Sequence, residues 1–457
     1  MATQVDRSSI SNTSTAFSAL VDSFKDSPNQ AQHVRARNNL TYVHDRANGH
    51  AWAAIKDRCS GFFIGRAIRR AAGLEAVKKA LSEQYGDETA QKALANAGLG
   101  NARSIRVADV ARLSELATNI EQQNKVYNEH SLRLGADENE LQAFRDAGFS
   151  AEQTNAVMEK FKGASDSAVG GLRKLIRDTY PDVARPKALN GNTVETVRER
   201  LYSKSYARTN EKKQLGKAEY KGYFDALGAI QMARPANSKI SFQGKNQFHD
   251  VSFTDTQANK DRGIADILHS GFYHFSAPGA GNSVRSDQVR ERIYLNVAAE
   301  HAATVMKDIV SEVVDQPGNF PGVYSAKISG AGAVGQRRDA IVIYVDNENH
   351  RNKVLEHLKS KYANSPEYFA SDPPPMTQSV SRGISSGQEP TAGRLQSSDP
   401  KQWTFGSVRC HAVATAMLST AGQETKPEET LNAYLENLVK AFGDYKISVT
   451  NPAENLP

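Results

Sequence analysis

Polar and apolar residues alternate without a break over Arg292-Ile293-Tyr294-Leu295-Asn296-Val297. A strand with that period turns Ile293, Leu295 and Val297 to one face and Arg292, Tyr294 and Asn296 to the other. A strand that buries one face and carries a cation, a phenol and an amide on the other can build a polar site. Two later segments also have strand character. Gly322-Val323-Tyr324-Ser325-Ala326-Lys327-Ile328 holds an isolated lysine, and Arg337-Arg338-Asp339 runs into Ala340-Ile341-Val342-Ile343-Tyr344-Val345. Paired in one sheet, these strands bring Arg292, Lys327 and Arg338 toward a shared anion. Left apart, they are ordinary solvated strand faces. The pattern alone keeps both readings open.

The first part of the chain follows the helical period instead. Ala67 to Tyr85 is amphipathic, and Val107, Val110, Leu113, Leu116 and Ile120 recur at helix spacing. Asp137-Glu138-Asn139-Glu140 places acids in a first turn, and Ser150-Ala151-Glu152-Gln153 reads as a helix cap. The expected organisation is an unstructured, Ser- and Thr-rich segment over 1–30, a helical domain over 31–180, and a linker with a basic helix over 181–220. From about residue 238 the texture becomes β-like, over Ile240 to Phe253 and the aromatic Phe272-Tyr273-His274-Phe275. Helical stretches lie between and after the strands. Asp372 to Pro390 and onward to Trp403 reads as one long loop, which closes at Phe405-Gly406-Ser407. Residues 446–457 read as a frayed tail. Strands mixed with helices, without strict βα repetition, predict an α+β domain over 221–445. Its sheet is mixed or antiparallel and flanked by helices, and an all-α N-terminal region precedes it.

Composition narrows the partners. A chain of 457 residues exceeds one average core. No apolar run approaches the roughly 20 residues of a membrane span, so none is expected. The net charge of +6 favours acidic partners. No zinc-finger spacing or long basic run points to nucleic acid. Two distant cysteines, Cys59 and Cys410, exclude a disulfide framework and a Cys-rich metal site. His33, His44 and His50 lack metal spacing, so neither a metal nor a cofactor is expected. There is no basic-then-apolar secretion signal. The polar, uncharged start of the chain is of the kind found in type III secretion substrates and in plain disordered tails alike.

Over roughly 220–445 the order of segments resembles the HopA family of type III effectors from plant-pathogenic bacteria. The resemblance is carried by Arg292-Ile293-Tyr294-Leu295-Asn296-Val297, the Lys327 strand and Arg338-Asp339-Ala340-Ile341-Val342-Ile343-Tyr344. It continues through Pro375-Met376-Thr377, Gly387-Gln388-Glu389-Pro390, and Phe405-Gly406-Ser407 with Arg409. It implies export into a host cell's cytoplasm, a secretion chaperone on the N-terminal region, and a host signalling protein as target, a phosphorylated kinase among the candidates. It also implies a fold related to the phosphothreonine lyases, which eliminate phosphate. That chemistry needs a base, an acid and cations. Lys327 suits the base, and Tyr294 an orienting or acid group. Arg292, Arg338, Arg382, Arg409, Asn296 and Glu389 are the candidates for holding phosphate or substrate. Phosphothreonine lyases carry Lys-x-His on the strand that here reads Arg292-x-Tyr294, so the acid histidine is missing from it. His249, His274 or His411 must replace it, or Tyr294 must serve. Two functions follow: a binding module for a phosphorylated or acidic host protein, or an eliminating lyase.

Overall fold

The computed structural model describes residues 4–5, 16–25, 33–37, 40–43, 62–207, 215–244, 247–263, 265–280, 289–390, 404–423 and 427–456. The chain forms two compact units, Met1–His130 with Ser150–Asn155, and Ser131–Phe149 with Ala156–Pro457. The expected boundary near 180 therefore does not coincide with the division between the units.

In the first unit, helix α1 (Ala16–Lys25), α2 (Phe62–Tyr85), α3 (Asp87–Asn96) and most of α4 (Val107–Arg133) share one core. The periodic positions Val107, Val110, Leu113 and Ile120 are buried in it, as their spacing requires. Helix α1 lies inside the segment expected to be unstructured. A small antiparallel sheet of β1 (Gln4–Val5), β2 (Val34–Arg37) and β3 (Leu40–Val43) accompanies the helices. Such short strands leave too weak an alternation to read from sequence. Cys59, His44, His50 and most of residues 1–30 lie outside the described residues.

The second unit is built on an eight-stranded sheet. Its strands are β4 (Ile240–Gly244), β5 (Gln247–Asp250), β6 (Phe272–Ser276), β7 (Glu291–Leu295), β8 (Val323–Ser329), β9 (Ile341–Val345), β10 (Gln378–Ser381) and β11 (Ile384–Gln388). Their order is β10-β11-β7-β9-β8-β6-β4-β5, and every pairing is antiparallel. Strand β9 is apolar throughout and buried at every position, as an interior strand covered on both faces must be. One face, with Phe275, Ile293, Leu295, Ala326, Ile328, Ile341 and Ile343, is packed by three helical segments: Tyr220–Met232, Ala302–Ile309 with its Val310–Val314 extension, and Glu348–Lys361. The α+β class expected from the sequence is the one found.

Three segments depart from expectation. The long loop is in large part β-structure. Strands β10 and β11 form a hairpin that extends the sheet beyond β7. Its serines and glycine gave no apolar alternation to read, because Ser385 and Ser386 are buried at the partner strand rather than packed in an oily core. The Pro375-Met376-Thr377 motif is structural. Met376 is buried at a left-handed φ of 63°, and its backbone sits where a Cβ on Gly171 would be, 2.6 Å away. The expected frayed tail is pinned: the Gln388 N–H donates to Ala453 O, Leu456 N–H to Lys446 O, and Ile447 is fully buried.

A second core lies among helices. Leu141, Phe144, Val157, Phe161, Leu172, Ile176, Val197 and Leu201 pack with Val413 and Met417 of the helix Phe405–Ala421 and with Leu435, Leu438 and Phe442 of Pro427–Asp444. Two helices of this layer, Ala168–Val183 and Val194–Tyr206, are joined through turns and the short 3-10 helix Pro186–Ala188, where the linker was expected; the second helix, opened by a Thr193–Thr196 capping box, falls on the expected basic helix.

Candidate functional site

The polar face of the sheet is only partly covered. Tyr206 of the helix Val194–Tyr206 and Phe405 of the helix Phe405–Ala421 lie over Tyr294, Val342 and Tyr344. Two glycines let these covers approach. A Cβ on Gly387 would sit 2.3 Å from the Phe405 ring, and one on Gly406 would sit 2.0 Å from the Tyr206 hydroxyl. Beyond this lid, toward β8, β6 and β4, the face opens into a cavity of about 570 Å³. Tyr202, Gln243, Phe248, Phe272, His274, Ser276, Arg292, Ser325, Lys327, Tyr344 and Glu389 line it, among others. Its volume falls within the range of small-ligand and side-chain pockets.

Register fixes the chemistry of this wall. His274 on β6 lies directly opposite Lys327 on β8. One row over, Ser276, Ser325, Tyr344 and Arg292 are successive cross-strand neighbours. The Lys327 ammonium sits 4.1 Å from the centre of the Phe272 ring, a cation–π contact. Among the described residues it has no carboxylate partner. The Ser325 hydroxyl is fully buried, lines the cavity and has no hydrogen-bond partner. A buried hydroxyl without a partner asks for one.

His274 is neutral near pH 7. Burial, then Lys327 and Arg292, hold its pKa well below the ordinary histidine value. Its Nε2 is 3.0 Å from Gln243 Oε1. With that oxygen as acceptor the proton sits on Nε2, and Nδ1 keeps its lone pair. Tyr344 stacks near one side of the ring and Phe248 meets it edge-on. Burial, then Asp339, pushes the Tyr202 phenol up to about 12, so it is a neutral hydrogen-bonding group in this wall.

Arg292 reaches the cavity with its charge already matched. Its Nε lies 2.5 Å from Glu389 Oε1, and its Nη2 donates to Glu389 Oε2 at 3.0 Å. Its guanidinium also lies 4.8 Å from the centre of the Tyr344 ring. Burial opposes the charge, and Glu389 more than offsets that.

The remaining sequence candidates lie elsewhere. Arg338 is buried at a separate, smaller cavity lined by Lys174, Arg200 and Lys204, where it pairs with Asp372 at 2.9 Å. Only Arg292 and Lys327 of the expected cationic trio therefore share a cavity. Asn296 is a structural clip whose amide donates to Asp372 O. Arg382 is exposed and donates to Phe369 O. Arg409 is fully buried, stacks 3.7 Å over Phe405 and donates to the carbonyls of Pro452, Phe405 and Glu454. Burial lowers its pKa to about 10. Tyr294 is buried under Phe405 and does not line the cavity. Its hydroxyl is unpartnered, and burial raises its pKa well above the ordinary value.

Of the three histidines named as substitutes, His274 alone lines the cavity. His249 faces the other side of the edge strand, paired with Phe242, and His411 meets Tyr445 on the helical layer. Gln243, Ser325 and Phe272 were not singled out. The alternation through Phe272-Tyr273-His274 carried a signal for the last, since it puts Phe272 and His274 on one face. Among the described residues no group of three His, Cys, Asp or Glu could hold a metal ion, and no helix is long and apolar enough to cross a membrane.

Residues 266–453 match the HopA1 effector protein family. Two solved structures are similar. The effector protein from Pseudomonas syringae pv. tomato strain DC3000 is 16% identical, with a TM-score of 0.44, over 63% of this chain and 100% of that one. The effector protein from Pseudomonas syringae pv. syringae strain 61 is 17% identical, with a TM-score of 0.45, over 64% and 99%. No curated protein matches the chain.

Proposed function

We propose that this chain, whose residues 266–453 match the HopA1 effector protein family, is a bacterial effector that binds an acidic or phosphorylated segment of a host signalling protein in the cavity over the polar face. Export through a type III apparatus into the host cytoplasm, with a chaperone on the N-terminal region, is part of this reading. The observation that carries it is the pairing of a free cation with a free hydroxyl. Lys327 has no carboxylate partner among the described residues, and Ser325, two residues away on the same strand face, has a buried unpartnered hydroxyl. An anionic side chain satisfies both at once. Binding there would withhold the segment from its own partners in the host.

One observation favours a second reading. His274 faces Lys327 across one strand pair, which puts an imidazole beside an amine as an eliminating lyase requires. In that reaction a neutral Lys327 amine takes the α-proton. The Cβ–O bond then breaks, and phosphate leaves with the electron pair, protonated by a charged His274. The site as found is less suited to it. His274 is held neutral, and Arg292 is matched by Glu389.

The test uses the full chain with phosphothreonine and glutamate peptides, followed by binding and by mass spectrometry. The binding reading expects intact peptides and a loss of affinity of roughly tenfold or more in Lys327→Ala. Loss of phosphoric acid from the phosphopeptide would establish the lyase instead. No binding of any anionic peptide would remove both.

A further inference from the structure

Glu389 occupies the place that an anionic ligand group would take. Its carboxylate is held by the Arg292 guanidinium at 2.5 and 3.0 Å. It also accepts the Phe405 N–H at 3.0 Å, in the first turn of the helix Phe405–Ala421, where unpaired N–H groups favour negative charge. Its backbone is fixed as well: the Glu389 N–H donates to Arg290 O, and the Asn455 amide donates to Glu389 O at 2.6 Å. Arg292 and Glu389 both line the cavity. Among the described residues the wall therefore presents one unmatched cation, Lys327, beside a neutral Arg292–Glu389 pair and a neutral His274.

We infer that Glu389 is a specificity-determining residue, which fits the cavity to the single charge of a carboxylate in an acidic host segment and disfavours a phosphate dianion. The inference rests on the reading that this cavity binds an anionic side chain, and it names the class. A glutamate or aspartate matches Lys327 charge for charge. A phosphothreonine carries about −1.5 to −2 at neutral pH. Its second charge meets no unpaired cation among the described residues of the wall and lies near a fixed carboxylate, an unfavourable like-charge contact in a partly desolvated wall. Glu389 thus does for Arg292 what a phosphate would otherwise do.

Three dye-labelled pentapeptides, Ala-Ala-Xaa-Ala-Ala with threonine, glutamate or phosphothreonine at the centre, test this by fluorescence anisotropy with the full chain. The wild-type protein is expected to bind the glutamate peptide at least as tightly as the phosphopeptide, and the threonine peptide least. Glu389→Gln keeps an acceptor for the Phe405 N–H but frees the Arg292 charge. It should shift the ratio toward phosphopeptide by about tenfold. The double variant Arg292→Gln with Glu389→Gln restores the wild-type net charge, and the ratio should return. A wild-type preference for phosphopeptide of tenfold or more would overturn the inference. So would an unchanged ratio in Glu389→Gln that circular dichroism shows to be folded. Should that variant not fold, the wild-type order and the double variant still decide. Failure of the wild type to bind any of the peptides is a different result, and it removes the parent reading itself.

Discussion

Replacing Arg409 by methionine separates a structural arginine from a ligand-binding one. The side chain is fully buried and has no ion-paired carboxylate among the described residues. It is held by Pro452 O at 2.5 Å, Phe405 O at 3.3 Å and Glu454 O at 3.4 Å, with its guanidinium flat on Phe405. Methionine keeps most of the volume and the contact with the ring, so little packing is lost. What is lost is the set of charge-assisted bonds, about 1.5–3 kcal/mol for each of the two shortest. Their carbonyls are then left buried and short of donors. Removing an unpaired buried charge returns part of that. The net expectation is about 2–4 kcal/mol of destabilisation, or roughly 3–6 °C in melting temperature for a unit of this size. The assay is thermal denaturation, with limited proteolysis of residues 447–456 as a local probe. A second readout is anionic-peptide affinity, which should stay within about threefold of wild type. An unchanged melting temperature together with a tenfold or larger loss of affinity would refute the structural assignment and return Arg409 to the binding site.

Further expectations follow from burial and charge. Tyr294→Phe removes a buried hydroxyl that has no partner, so urea denaturation should show a neutral effect or a gain of up to about 1 kcal/mol, with peptide binding unaltered. Loss of binding in that variant would contradict its placement outside the cavity. Stability should fall as pH drops below about 6.5, because the unfolded histidines charge there first. Burial, together with nearby cations, holds folded His274 well below that value and lowers His411 to about 4. The slope should approach about 1 kcal/mol per pH unit for His274 and less for the partly exposed His411, and His274→Gln should flatten the urea-midpoint profile between pH 7 and 5.

The sequence carried the local half of this architecture. Alternation over 292–297 sorted Ile293 and Leu295 to the core and Arg292 and Tyr294 to the opposite face, and the structure has them so. The periodic Val107, Val110 and Leu113 were equally legible. What one strand's pattern cannot show is its neighbour. That His274 faces Lys327, 53 positions along the chain, is a matter of register, and that Glu389 neutralises Arg292 is a contact across 97 positions. Arg409 looked like a free cation in sequence because nothing nearby announces that backbone carbonyls from 452 and 454 will enclose it. The hairpin of β10 and β11 was hidden for a related reason. Buried serines and a glycine do not read as strand.

The sheet and helical layers described above reach well upstream of the segment that sequence comparison recognises. Strands β4 and β5, the helix Tyr220–Met232, and the helices Ala168–Val183 and Val194–Tyr206, which share a core with Phe405–Ala421, all precede residue 266. A gene fragment spanning the recognisable 266–453 alone would inherit β6 with one side stripped of its partner, and Val413, Met417 and Leu435 without their cover. The upstream strands and helices supply Tyr202, Gln243 and Phe248 to the cavity wall and Leu172, Ile176, Val197 and Leu201 to the helical core, so they are the half of the fold that closes what the matched segment alone would leave open.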